Sequence, residues 1–307
     1  MANKINVNNK KMLKICLIVY AIVIITGILF SIFMGLKLDI NFSGGARITY
    51  SYTGDIKQAD FTSAVKTALD KNFTVSKNES LAGNTKTYTI NLSGKNALST
   101  EIQENITKAL SEKFADNNIE IYDSNSVSSS VAGSFFAKSM VAMVLTALLV
   151  VIYVGIRFKN IGGISAALTA LCALILDLAV TFCTCAIFRL QIDSNYMAVV
   201  LTILGYSLND TIVVYDRVRE NKKYYPQLSL NDNMNKSISG VLTRNIVTSV
   251  TTVIAVITII VVAEIYGLTT LRTFGIPMAF GLVSGCFSSL FVAGPLWVLW
   301  KERKNAD

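Results

Sequence analysis

Six long apolar runs, separated once by a polar stretch from 35 to 133, set the plan of this chain. The runs are Leu13 to Met34, Phe135 to Ile156, Ile161 to Phe188, Tyr196 to Tyr215, Val241 to Ala263 and Gly275 to Trp300. Each is near the ~20 apolar residues that a helix needs to cross a bilayer. The first is too long for a signal-peptide core and lacks a clean small-residue cleavage site, so it reads as a retained helix. The polar stretch changes period. Alternation predicts strands at Ala46 to Tyr52, Thr85 to Leu92 and Asn118 to Tyr122, with a shorter one at Phe73 to Ser76. Between them, Phe61, Val65, Ala68 and Leu69 share one helical face, and Ile102, Ile106, Ala109, Leu110 and Phe114 share another. The order β-α-β-β-α-β is that of a ferredoxin-like fold. The expected fold class is therefore a polytopic α-helical membrane protein with six transmembrane helices and one extracytoplasmic α+β domain. The expected domains are 1–34, 35–133 and 134–307.

Composition supports the membrane reading. The 307 residues are 52% hydrophobic with a mean hydropathy of +0.50. The net charge of +8 does not point to nucleic acid, because the basic residues gather at the ends of apolar runs. Lys4, Lys10, Lys11, Lys14, Arg157, Lys159, Arg217, Arg219, Lys222, Lys223, Lys236, Lys301, Arg303 and Lys304 fall on one side of a six-span topology. The short loops of the other side hold only Arg189 and Arg272. Both termini are then expected in the cytoplasm and the α+β domain outside it. The five cysteines all lie in apolar runs, which excludes a disulfide framework in the polar domain. With no histidine, a metal site is not expected, and a proton relay would have to use carboxylates, hydroxyls and water. No cofactor motif and no ATPase motif occurs, and no enzymatic activity is expected.

Chemistry concentrates in the fourth run. Asp210 sits in its apolar part, with Asn209 before it and Tyr206 one turn back. An acid at the centre of a membrane helix costs at least ~2.5 kcal/mol, so it commonly marks an ion path, although a hydrogen-bonded structural role is the plainer alternative. Arg244 opens the fifth run. Counting from the charged boundaries places Asp210 ~9 Å and Arg244 ~5 Å into the membrane, compatible with contact if their helices are neighbours. The plainer alternative for Arg244 is an arginine snorkelling to lipid phosphate. Thr248, Thr251, Thr252, Ala255 and Thr258 make a small hydroxylated face on the same helix. Asp177, in the third run, counts to ~24 Å from its inner boundary, so two separate stations are expected rather than a carboxylate dyad. Gly281, Gly285, Ser289 and Ala293 repeat every four residues in the sixth run as a packing face.

The segment Gly205 to Asn221, GYSLNDTIVVYDRVREN, resembles the signature of the SecD/SecF family of protein-export membrane proteins, within the resistance-nodulation-division superfamily. Leu242 to Thr252, Gly285 to Leu296 and Asn41-Phe-Ser-Gly-Gly45 resemble that family's segments at the same places. Two departures stand out. Asn41 replaces the usual aspartate, and Leu176 precedes Asp177 where the family has histidine. The resemblance implies an accessory role in Sec-dependent export, driven by the proton-motive force or by sodium. It implies Asp210 as the proton-carrying acid, Arg244 as its basic partner and Asp177 as a further coupling residue, supported by Tyr206, Asn209, Thr248 and Thr252. It also implies SecD, the SecY-SecE-SecG channel and an unfolded preprotein chain as partners, in a bacterial plasma membrane. Two other readings remain open: a half-transporter for a lipid or small molecule, and a passive scaffold for the translocon.

Overall fold

The computed structural model of the protein describes residues 10–69, 73–79, 86–93, 100–266 and 268–306. Thr85 and Lys4 lie outside them. In chain order the elements are α1 (Lys10–Met34), α2 (Ile40–Ser43), β1 (Gly45–Tyr52), α3 (Gln58–Ala68), β2 (Phe73–Glu79), β3 (Lys86–Ser93), α4 (Thr100–Lys113) and β4 (Glu120–Val127). The helices α5 (Ser129–Arg157), α6 (Gly163–Ile187), α7 (Ser194–Tyr224), α8 (Leu230–Tyr266), α9 (Thr269–Ser288) and α10 (Gly294–Ala306) follow. A π-helical stretch, Ser289–Ala293, joins α9 to α10, so these form one interrupted span. Six helices among the described residues are long and apolar enough to cross a membrane.

The polar domain is a four-stranded sheet in the order β2-β3-β1-β4, with every neighbouring pair antiparallel. Alternation along β1 sends Ala46, Ile48, Tyr50 and Tyr52 to the buried side, where Phe61 and Val65 of α3 and Ile106 and Leu110 of α4 cover them. Polar partners finish this core: Tyr88 donates its hydroxyl to the Ile56 carbonyl at 2.7 Å. β4 begins at Glu120, two residues later than the alternation predicts, because Ala115–Asn117 forms a 3-10 turn and Asn118 takes a left-handed conformation (φ 43°).

Asp39 ties this domain to the helices. It is almost fully buried and pairs with Arg47 of β1. It also accepts from Gln191 Nε2 at 3.0 Å and Asn41 Nδ2 at 2.7 Å. Gln191 belongs to the loop between α6 and α7, whose Ile192 bonds the backbone of Lys37 and Asp39. On the other side, Phe42 of α2 meets Phe135 of α5 edge-to-face at 5.2 Å. The segment 41–45 thus sits at a joint whose central acceptor is Asp39. Replacing Asp39 with alanine strands three donors, one of them charged. We expect a loss of about 2–4 kcal/mol, seen as a lower melting point of the purified protein. An unchanged melting point would rule out this joint as a stabilising contact.

The bundle differs from the sequence reading in helix length. α7 runs through its charges to Tyr224, and α8 starts at Leu230, well before the apolar run at Val241. Their polar ends pack together instead of fraying. Buried Asn221 donates to Ser237 at 2.8 Å, and Asn233 donates to the Val218 carbonyl at 3.2 Å. Arg157 and Arg219 both pair with Asp216, at 3.1 and 2.7 Å. An onset of charge therefore marks a change of surroundings here, not the end of a helix.

Candidate functional site

Two carboxylates are buried among α6, α7, α8 and α9. Asp177 of α6 is 0% exposed. Its Oδ1 accepts from Ser284 Oγ at 2.5 Å, and its Oδ2 accepts from Ser207 Oγ at 2.6 Å and Ser288 Oγ at 2.7 Å. Tyr20 of α1 extends the cluster: its hydroxyl donates to the Ser284 carbonyl at 3.0 Å and lies 3.1 Å from Ser284 Oγ. The helices meet closely because Gly285 has no side chain. A Cβ there would stand 3.0 Å from the Cβ of Ser207. The Gly285 position anticipated as packing thus permits the α7–α9 approach. The serines that bond Asp177, at 284 and 288, sit beside that glycine stripe rather than on it.

Asp210 of α7 is 2% exposed. Ser249 Oγ of α8 donates to its Oδ2 at 3.4 Å, and Asn245 Nδ2 reaches its backbone carbonyl at 3.5 Å. α7 and α8 are neighbours, as contact with Arg244 required. Among the described residues, however, no ion pair joins Arg244 to Asp210; its nearer partners are Ser249 and Asn245. The reason is rotational. Consecutive helical residues turn by ~100°. Asn245 faces α7 and is buried, so Arg244 points to the exposed side.

Arg244 heads an exposed polar strip. Thr248 is exposed below it, and Thr252 bonds the Tyr206 hydroxyl at 3.0 Å. Asn209 of α7 is exposed as well. The supporting residues named from sequence therefore share one outward face of α7 and α8, while Asp210 lies behind it.

The two acids are closer in depth than residue counting implied. Ser207, which touches Asp177, lies three residues from Asp210 on the same helix, ~4.5 Å along the axis. The error came from the boundary. Lys222 Nζ donates to the Asn160 carbonyl at 3.1 Å, so the N-terminal end of α6 levels with Lys222 and not with Asp216. A count that starts at Asp216 leaves out six residues, or ~9 Å. Sequence reasoning missed Ser207, Ser284, Ser288, Ser249, Asn245 and Tyr20. The spacing of Ser284 and Ser288 by four residues was the available signal, since it places both hydroxyls on one helical face.

Near this site α9 passes into the π-helical stretch. The carbonyl of Ala293 there accepts the Tyr215 hydroxyl at 3.2 Å, and Thr169 lies 2.7 Å from that hydroxyl. Pro295 has no N–H to continue the ladder, which accounts for the local change of pitch.

Comparison with known proteins agrees along the chain. The family described as "Protein export membrane protein SecD/SecF, C-terminal" matches residues 106–303. The protein translocase subunit SecF of Borreliella burgdorferi is 33% identical over 298 residues, covering 94% of this chain and 95% of that protein. SecF of Sebaldella termitidis is 36% identical over 286 residues, covering 90% and 86%. SecDF of Bacillus subtilis is 32% identical over 289 residues, covering 92% of this chain but 36% of that longer protein. A crystal structure of a Thermus SecDF, described as a translocon-associated membrane protein, superposes with a TM-score of 0.78 at 23% identity. It covers 96% of this chain, which spans 39% of that one.

Proposed function

The chain belongs to the SecD/SecF family of protein-export membrane proteins, and from that premise we propose that it works as an accessory subunit of the Sec translocase in a bacterial inner membrane. Its partner is a SecD subunit, and the pair assists the SecY-SecE-SecG channel in moving unfolded preprotein. Support for the SecD partnership is that relatives carry both subunits in one longer chain, of which this one corresponds to little more than a third. The exposed strip of Arg244, Thr248 and Asn209 supports it physically. Polar and charged groups at that depth are costly against lipid tails, and a second helical subunit would cover them.

Asp210 is proposed as the acid that takes and releases the coupling ion, a proton in the first instance. The single observation that carries this is a buried carboxylate held by Ser249 Oγ at 3.4 Å, with the exposed Arg244 on the same helix as Ser249, next to Asn245, which reaches the Asp210 backbone. A partner or a helix movement that brings Arg244 toward Asp210 would favour the charged form, and withdrawal would favour the neutral form. Asp177, fully bonded, serves as a second station behind Ser207. The α+β domain, with its β-α-β-β-α-β order, is read as ferredoxin-like and extracytoplasmic, and both termini as cytoplasmic.

The test joins topology to function. In cells depleted of the protein, export of a tagged preprotein should fall and return when the gene is restored. In the same cells, an impermeant thiol reagent should label a cysteine placed at Glu112 and leave one placed at Gln227 unlabelled. Export that is indifferent to depletion would refute the proposed role, and reversed labelling would refute the orientation.

A further inference from the structure

A cavity of about 470 Å³ opens at the end of the bundle where α5 ends, α6 begins and α7 turns into α8. Its volume is in the range of sites for small organic ligands. Three ammonium groups, Lys159, Lys222 and Lys301, line it, and among the described residues no acidic one does. Among the described residues, no ion pair neutralises any of the three; Lys222 Nζ donates only to the Asn160 carbonyl. The backbone adds to the positive potential. α6 starts against the cavity at Gly162, with no side chain capping its first N–H groups, and the helix dipole places partial positive charge there. Gly162 has φ 97°, and a Cβ in its place would clash with Lys301 Nζ, so a side chain here would displace one of the three amines.

A second observation points to a ligand. Trp297, also in the wall, is 2% exposed, and among the described residues its indole Nε1 has no hydrogen-bond partner. A buried donor left unpaired costs ~1–3 kcal/mol. An anion seated against that wall would offer it an acceptor if the wall shifted slightly. The adjoining cavity, lined by Asp216 and Glu220 as well as by Lys222, carries its own counter-charges and gives no such reason for an anion.

The surroundings select the anion. Trp300, Tyr224 and Tyr225 are exposed around this end of the bundle, the aromatic distribution typical of a membrane–water interface. Basic pockets between membrane helices at that level suit phosphate-bearing headgroups. We propose that this cavity binds the headgroup of an anionic phospholipid, its phosphate held by Lys159, Lys222 and Lys301 with the Trp297 N–H behind them. A seated lipid would fasten α6, α7, α8 and α10 together at their shared end. The inference requires only that the chain is embedded in a bilayer, and it stands independently of the export role.

The full chain, purified in a mild nonionic detergent, would be titrated with phosphatidylglycerol and followed by native mass spectrometry. Phosphatidylcholine and inorganic phosphate serve as the other probes. Phosphatidylglycerol should be retained in preference to phosphatidylcholine. The triple variant Lys159→Gln, Lys222→Gln, Lys301→Gln should lose about one hundredfold in affinity, whereas the triple lysine-to-arginine variant should keep most of it. Removing three exposed charges elsewhere, with Lys14→Gln, Arg303→Gln and Lys304→Gln, should cost less than threefold, because binding would be to a built site and not to general positive charge. Trp297→Phe should weaken binding about fivefold. Equal retention by the glutamine variant and the parent, or equal loss from the two glutamine triples, would overturn the site. Unchanged affinity in Trp297→Phe would place the headgroup on the rim and overturn its seating in the cavity. A millimolar phosphate solution that displaces the lipid completely and protects the protein equally well would overturn the choice of lipid as ligand.

Discussion

Asp210→Asn should abolish the part of preprotein export that an uncoupler removes, while leaving the protein in the membrane and bound to SecD. Asparagine keeps the size of the side chain and an oxygen that can accept from Ser249, so the 3.4 Å contact and the packing of α7 on α8 survive. Only the titratable charge is lost. A proton crossing the membrane releases ~2.3 kcal/mol per 100 mV. Committing even ~1.4 kcal/mol of that to the slow step is worth about tenfold in rate, so a tenfold loss is the expected scale. Arg244→Met should do comparable damage for a different reason. It removes the cation whose approach favours the charged carboxylate. The double variant should be little worse than either single one, as for groups acting as a unit. The readout is export of a tagged preprotein in depleted cells carrying each variant, with and without uncoupler. Parent-like, uncoupler-sensitive export in the Asp210→Asn strain would leave Asp210 a packing role only.

Much of this arrangement was legible in the sequence, and the unread part has definite causes. Apolar runs of spanning length locate the six candidate membrane helices, because a bilayer demands them whatever the tertiary contacts. The strands of the polar domain follow from alternation, which decides which face of β1 reaches the core. Depth is not legible from the onset of charge, because Asn221 and Asn233 bury the polar extension of α7 against α8. The Asp177 cluster is only partly legible: the spacing of Ser284 and Ser288 puts two hydroxyls on one helical face, but all its donors come from two other helices. Ser207, Ser284 and Ser288 are ordinary small residues until those helices are brought together. Arg244 shows a finer limit. Depth and neighbouring helices made contact with Asp210 geometrically allowed, but one residue of helical phase put Asn245 on the inner face instead. Asp39 was passed over for a similar reason. Its role depends on Gln191, far along the chain, and only the paired glycines beside it carried a local signal.

A large effect on stability is also expected at Asp177. Residue counting and the missing histidine neighbour suggest only that its loss harms export less than loss of Asp210 does. The structure argues for a larger cost, because three hydroxyls on α7 and α9 converge on one carboxylate. Asp177→Leu should therefore destabilise the purified protein by about 3 kcal/mol. Each hydroxyl that loses a charged acceptor gives up ~1.5–3 kcal/mol, and fallback bonds return part of it. One such fallback is present already: Ser288 Oγ lies 3.2 Å from the Gly285 carbonyl. Asp177→Asn should cost less, about 1–2 kcal/mol, since its oxygen still accepts and a serine can turn to accept from its amide. Combining Asp177→Asn with Ser207→Ala should fall short of the sum of the single losses, because both remove the same contact. Thermal melting of the detergent-purified variants measures all three. A parent-like melting point in Asp177→Leu would show that the cluster holds nothing together. A normal melting point with failed export in Asp177→Asn would instead place its charge in the coupling path beside Asp210, reached through Ser207 less than one helical turn away.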